Sequence, residues 1–176
     1  TAADQSGNIG RASHDIQPAS STDPEAPGYT GPFVDMTTHW ARAYTTYLYD
    51  MGVTNGVETT EGLQFQPEKN ITRGEFALMV TRWMGLNPDD YAGVELPFAD
   101  LASIPSWMLG GMKATYSLGI LKGSLEGGQL VSRATETISR AEAMTILGRI
   151  QGQGYIRQSL TFSDADQVPA WALSYV

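Results

Sequence analysis

The chain repeats itself. Phe33-Val34-Asp35 precedes Trp40, Phe98-Ala99-Asp100 precedes Trp107, and Phe162-Ser163-Asp164 precedes Trp171, so the three phenylalanines stand 65 and 64 residues apart. Further along, Gly52-Val53-Thr54-Asn55-Gly56 corresponds to Gly119-Ile120-Leu121-Lys122-Gly123, and Ile71-Thr72-Arg73-Gly74-Glu75 to Ile138-Ser139-Arg140-Ala141-Glu142, both at an offset of 67. Motifs that keep one offset mark a structural unit that is stacked on copies of itself. The boundaries read as a flexible N-terminal extension over 1–32, units over 33–97 and 98–161, and the start of a third over 162–176.

Within each unit the apolar spacing is helical. Trp40, Tyr44, Tyr47, Leu48 and Met51 follow that period from Thr38 onward, with Gly52 at the expected C-terminal cap. The second copy carries Trp107, Ala114 and Leu118 before Gly119, and Pro105 and Pro169 suit first helical turns. Gly110 and Gly111 weaken that second copy by about 1 kcal/mol each relative to alanine. Segments of short extended character, Leu63-Gln64-Phe65-Gln66-Pro67 and Gln129-Leu130-Val131, read as loops. A second helix then begins at Thr72 or Ser139, with an apolar stripe of Phe76, Met79, Val80 and Trp83 in one copy and Ala143, Ile146, Leu147 and Ile150 in the other. The expected fold is all-α: helical hairpins that cannot cover their stripes alone and pack on one another around a shared bundle.

Composition narrows the function. Among 176 residues, 41% are hydrophobic, enough for a packed core, and the net charge is −8. That charge disfavours a nucleic-acid backbone or an anionic membrane surface as partner, so an anion must be held by a local site. Without cysteine there is no disulfide framework, thiolate metal site or cysteine nucleophile. No apolar run approaches the roughly 18 residues of a membrane span, and the N-terminus lacks the basic and apolar regions of a signal peptide. Residues 1–32 have Ile9 and Ile16 as their only large aliphatics, too little burial to offset the entropy of ordering.

Thr72-Arg73-Gly74-Glu75 and Ser139-Arg140-Ala141-Glu142 both have the form of a capping box, which accounts for the hydroxyls and the glutamates. It leaves the arginines unexplained, because a cation in a first helical turn opposes the macrodipole. Their partner is either an aspartate of a neighbouring unit, such as Asp35 or Asp100, or an anionic ligand held by the guanidinium together with free helix-start amides.

The series Phe-x-Asp, Trp, Gly-Ile/Val-x-x-Gly, Ile-Thr/Ser-Arg-x-Glu resembles the S-layer homology repeat of bacterial cell-envelope proteins, over roughly residues 33–176. The resemblance implies three repeats in a pseudo-threefold spindle, whose grooves attach non-covalently to secondary cell-wall polysaccharide, often pyruvylated, on peptidoglycan. It implies an extracellular, cell-envelope location, no catalysis and no cofactor. Carried over, Arg73 and Arg140 meet the carboxylate, Trp40, Trp107 and Trp171 lie near the sugar or in the bundle, and Gly56 and Gly123 let the backbone approach closely. Asp35 and Asp100 complete the glycan-binding set. Three departures stand out. Gly74 replaces the usual alanine, the second copy has Arg133-Ala134 where the first has a turn at Pro67, and the third copy stops at Val176, before its own Thr-Arg-x-Glu, so a spindle made by this chain alone is expected to be incomplete. Completion by another molecule is a second reading, in which the repeats and the N-terminal arm, whose Ile9-Gly10-Arg11-Ala12 faintly echoes the arginine motif, build a filament or layer.

Other chemistry is less well supported. The carboxylates Asp35, Glu75, Asp100 and Glu142 have turn or capping roles that leave no acid and base pair for a glycosidase. His14 and His39 are too few for a transition-metal site, and Asp164-Ala165-Asp166 lacks the glycine and the terminal carboxylate of a calcium loop. The tryptophans, each at the same place in its helix, read as core more readily than as sugar platforms. Tyr49 reads as the surface tyrosine of its helix, and Arg82 and Arg149, late in theirs, as structural cations.

Overall fold

The computed structural model describes residues 31–152 and 161–175. The proposed extension, with Ile9-Gly10-Arg11-Ala12 and His14, lies outside them save for its last two residues. Each of the first two units runs helix, hairpin, helix. The first comprises α1 (Arg42–Asp50), β1 (Val57–Thr59), β2 (Gly62–Gln64) and α2 (Arg73–Trp83); the second comprises α3 (Ser106–Ser117), β3 (Ser124–Glu126), β4 (Gln129–Val131) and α4 (Arg140–Ile150). Strand for strand and for the second helix, the two copies keep the offset of 67. Short 3-10 turns at Val34–Met36, Leu101–Ser103 and Ala165–Gln167 open the three copies.

The all-α expectation is overturned by the hairpins. β1 pairs antiparallel with β2 in the register Val57↔Gln64, and β3 with β4 in the register Ser124↔Val131. Three-residue strands are too short for an alternating pattern to stand out in sequence. They persist because an aspartate fastens each hairpin to the start of its unit: Asp35 accepts the backbone N–H groups of Phe65 (2.9 Å) and Gln66 (2.7 Å), and Asp100 those of Ser132 and Arg133 (both 2.8 Å). The second hairpin turns on Gly127-Gly128, both at positive φ, as a two-residue primed turn requires.

The helix faces also differ from the periodic reading. Trp40, Tyr44 and Tyr47 are exposed, and α1 buries Arg42 and Thr45 instead. Tyr49 is the least exposed of the three tyrosines, because its ring meets Phe33 edge-on at 5.4 Å. In α2 the buried positions are Arg73, Gly74, Ala77, Val80 and Thr81, and in α4 they are Thr145 and Ile146. Of the expected stripes, only Val80 and Ile146 are fully buried; small residues let the helix pack closely on its other side.

That side is the junction between units. Gly111 brings the α3 backbone so near α2 that a Cβ there would lie 2.9 Å from the Cα of Leu78, and the Thr81 hydroxyl donates across to the Gly111 carbonyl at 3.4 Å. One apolar cluster joins Ala77 of α2 to Phe98, Ile104, Met108, Met112 and Leu121 of the second unit. Another joins Val80, Ile120 and Ile146. The core is therefore shared, and each large aliphatic buried in it contributes about 1.5–3 kcal/mol.

Candidate functional site

The second capping box sets the geometry of the site. The Ser139 hydroxyl accepts from the Glu142 N–H (3.3 Å), while Glu142 Oε2 accepts from the Ser139 N–H (2.8 Å). The other carboxylate oxygen, Oε1, is left to face the first unit. Arg73, at the start of α2, meets it with Nη1 at 2.6 Å, and Arg133 of the second unit meets it with Nη2 at 2.5 Å. Arg73 also donates through Nε to the Ser132 carbonyl at 3.0 Å and is only 6% exposed.

One carboxylate thus serves two guanidinium groups. Burial pulls on both partners: it lowers Arg73 from its ordinary range against the opposing pull of Glu142, and alone it would raise Glu142. The Ser139 N–H, the Arg73 charge, the Ser139 hydroxyl and the Arg133 charge reverse this and hold Glu142 below the usual carboxylate range. Near neutral pH Glu142 is ionised and Arg73 keeps its charge.

Between α4, the β3 hairpin and the third copy lies a groove of about 380 Å³. Arg73, Lys122, Arg133, Arg149 and Trp171 line it, with Glu142 as the one acidic residue. Arg149 is fixed there because its Nη1 donates to the Ile120 carbonyl at 2.8 Å and its guanidinium lies 5.7 Å from the centre of the Tyr175 ring. The Nε atoms of Arg133 and Arg149 are buried without a hydrogen-bond acceptor. A local excess of cations beside an exposed indole can hold an anion and stack a sugar face.

The expected site residues divide. Arg73 and Trp171 line the groove together with Gly123. Arg140 is exposed at the start of α4, outside it. Trp40, Trp107 and Trp171 are 72%, 56% and 53% exposed, so none is core; of the three only Trp107 lies within a helix, and recurrence at one place in the repeat fixed their equivalence but not the side they face. Asp35 and Asp100 serve the hairpins rather than the arginines. The close approach at Gly56 and Gly123 is to their own units: a Cβ would lie 2.5 Å from the Phe33 ring and 2.6 Å from the Phe98 ring, at φ values of 68° and 73°.

The helix-start amides of α2 are also occupied. The Arg73 N–H donates to the Glu136 carbonyl (2.9 Å) and the Gly74 N–H to the Ala134 carbonyl (2.8 Å), which docks α2 on the loop before α4. Gly74 stands in place of alanine because a Cβ would lie 2.5 Å from Met108 Sδ and 3.0 Å from the Ala134 carbonyl oxygen. Lys122, Arg133 and Arg149 were not among the expected site residues. The signal for the first two was a difference between copies: Asn55 and Gln66 occupy the equivalent positions in the first unit.

Residues 32–77 and 97–128 match the S-layer homology domain. Over these two stretches the chain carries the S-layer homology domain. This is a cell-wall anchoring module, and its presence places the chain at the cell envelope. Amylopullulanase of Thermoanaerobacterium thermosulfurigenes is 28% identical over 84% of the chain, and exoglucanase XynX of Acetivibrio thermocellus 26% identical over 82%. Cell surface glycoprotein 1 of Acetivibrio thermocellus is 29% identical over 64% of it. The S-layer homology chain spans only 8%, 13% and 5% of the lengths of these three relatives. No solved structure matches it significantly. Among the described residues, no helix is long and apolar enough to cross a membrane.

Proposed function

We propose that this S-layer homology chain is a non-catalytic anchor whose second-unit groove holds an anionic, pyruvylated cell-wall polysaccharide on peptidoglycan. The observation that carries the reading is the charge of the groove. Four cations and an exposed tryptophan line it against one carboxylate, in a chain whose net charge is −8. Such a surface recruits an anion locally while the molecule as a whole repels polyanions. Glu142 fixes Arg73 and Arg133 at the groove, and Trp171 is the exposed indole that would meet the pyranose ring.

Cosedimentation with purified wall sacculi tests this. Binding is expected before the non-peptidoglycan glycan is chemically stripped and lost after it; binding that survives stripping overturns the reading. A second reading has its own support in the exposed aromatics Tyr44 and Tyr47 on α1 and Trp40 in the turn before it, a surface of the kind that mediates protein contacts. It predicts ordered polymers of the purified protein without glycan, which electron microscopy shows or excludes.

A further inference from the structure

The two units share a backbone, hairpin by hairpin, yet the second unit's groove and the equivalent surface of the first do not share a charge. At the position of Lys122 the first unit has Asn55, at Leu125 it has Glu58, and at Arg133 it has Gln66. Arg82 and Arg149 are equivalent, as are Glu75 and Glu142. Counting these positions alone, the second unit has three cations and one acid where the first has one cation and two acids.

We infer that Arg133, assisted by Lys122, is the residue that makes the second unit's groove select a carboxylate-bearing sugar over its neutral counterpart, and that the equivalent surface of the first unit lacks this selectivity. The inference rests on the glycan-anchor reading and adds the determinant of its charge preference. Arg133 occupies a left-handed backbone conformation, φ 51°, which non-glycine residues adopt rarely. Gln66 adopts the same conformation at φ 60°, so the backbone shape belongs to the repeat and the charge belongs to the second unit. The Asp100 carboxylate, accepting the Arg133 N–H, holds that shape.

The competing account is that Arg133 only neutralises nearby acids. Its contacts weigh against this. Nε stands 3.4 Å from Glu126 and Nη1 4.0 Å from Glu136, and both glutamates are more than half exposed, where such pairs contribute little. Only Glu142 is close and largely shielded from solvent, at 12% exposure, and Arg73 already compensates it. The second guanidinium on that carboxylate is therefore an excess charge at the groove, and Lys122 is an exposed ammonium beside it.

The test compares a pyruvyl-ketal hexoside with its methyl ester, titrated calorimetrically against the whole chain. The parent is expected to prefer the carboxylate. Arg133→Gln, which installs the first unit's own residue in a backbone already suited to it, is expected to weaken carboxylate binding about 10-fold or more, the effect of losing one charge-assisted hydrogen bond. Ester binding should be unchanged, Arg133→Lys should restore part of the preference, and Gln66→Ala should alter neither affinity. A parental carboxylate-to-ester ratio in Arg133→Gln, with melting temperature preserved, overturns the role of Arg133 while leaving the anchor reading intact. A parent that binds neither probe and does not sediment with sacculi overturns both.

Discussion

Replacing Arg73 by methionine should reveal the buried ion pair as the bond between the units. Methionine retains much of the aliphatic stem and removes the charge, the 2.6 Å contact to Glu142 and the 3.0 Å hydrogen bond to Ser132. The Arg73 and Glu142 side chains are 8% and 12% exposed, so the carboxylate stays behind with little access to water. Removing one partner of such a pair costs about 3–5 kcal/mol. Glu142 keeps Arg133 and the Ser139 N–H, which brings the expectation to the lower end, about 3 kcal/mol. At about 2–4 °C per kcal/mol for a chain of this size, the far-ultraviolet melt should shift down by roughly 6–12 °C. Glu142→Gln provides the second side of a double-mutant cycle, since glutamine can still close the capping box while losing the charge. The double variant should recover much of the loss, with a coupling of about 2 kcal/mol, because no uncompensated charge remains. Strictly additive single effects, or an Arg73→Met melt within 1 °C of the parent, refute the argument that a buried charge pair joins the units.

Other consequences follow from the same contacts. Gly74→Ala should destabilise by about 1–3 kcal/mol in urea unfolding despite alanine's better helix propensity, because its Cβ meets Met108 and the Ala134 carbonyl; a stabilised variant would show that the junction is looser than these distances. Gly123→Ala combines positive φ with a ring 2.6 Å away and should cost more, about 2 kcal/mol or above by chemical denaturation, with Gly56→Ala close to it. Acid should weaken the fold. Glu142 and Asp100 are both depressed below their ordinary values of 4.5 and 3.8, so the stability they contribute is present above those values and lost as pH falls through the lower folded-state ones. For Asp100, burial opposes the shift and the Ser132 and Arg133 N–H groups with the Ser132 hydroxyl impose it. Glu142→Gln should flatten the acid limb of a pH series of melts, and an unchanged limb would assign it to other carboxylates.

Much of this was legible in sequence because capping and repetition are local. The offset of 67 foretold the equivalence of α2 with α4, and Thr72, Glu75, Ser139 and Glu142 announced their own hydrogen bonds. The hairpins were less visible. Gly127-Gly128 is a primed-turn signal between Ser124-Leu125-Glu126 and Gln129-Leu130-Val131, but the first copy replaces it with Thr60-Glu61 and hides the correspondence. Periodicity misplaced the buried faces, because α2 packs through Gly74, Ala77 and Thr81, residues whose small size matters more at a tight crossing than their hydropathy. The partner of Arg73 was beyond local reach: Glu142 lies 69 positions away and is already explained as a cap, so only the three-dimensional junction discloses its second role.

The docking of Arg73 and Gly74 on the loop before α4 has a mechanical consequence. The groove draws Arg73 from the first unit, Arg133 from the second and Trp171 from the third copy. On the anchor reading, a bound polymer is then a clasp across the same seams that the Glu142 pair and the Arg73 and Gly74 amides close. Tension transmitted along the chain would have to part those seams to open the groove, so grip on the wall and cohesion of the repeats would fail together, at one threshold of force.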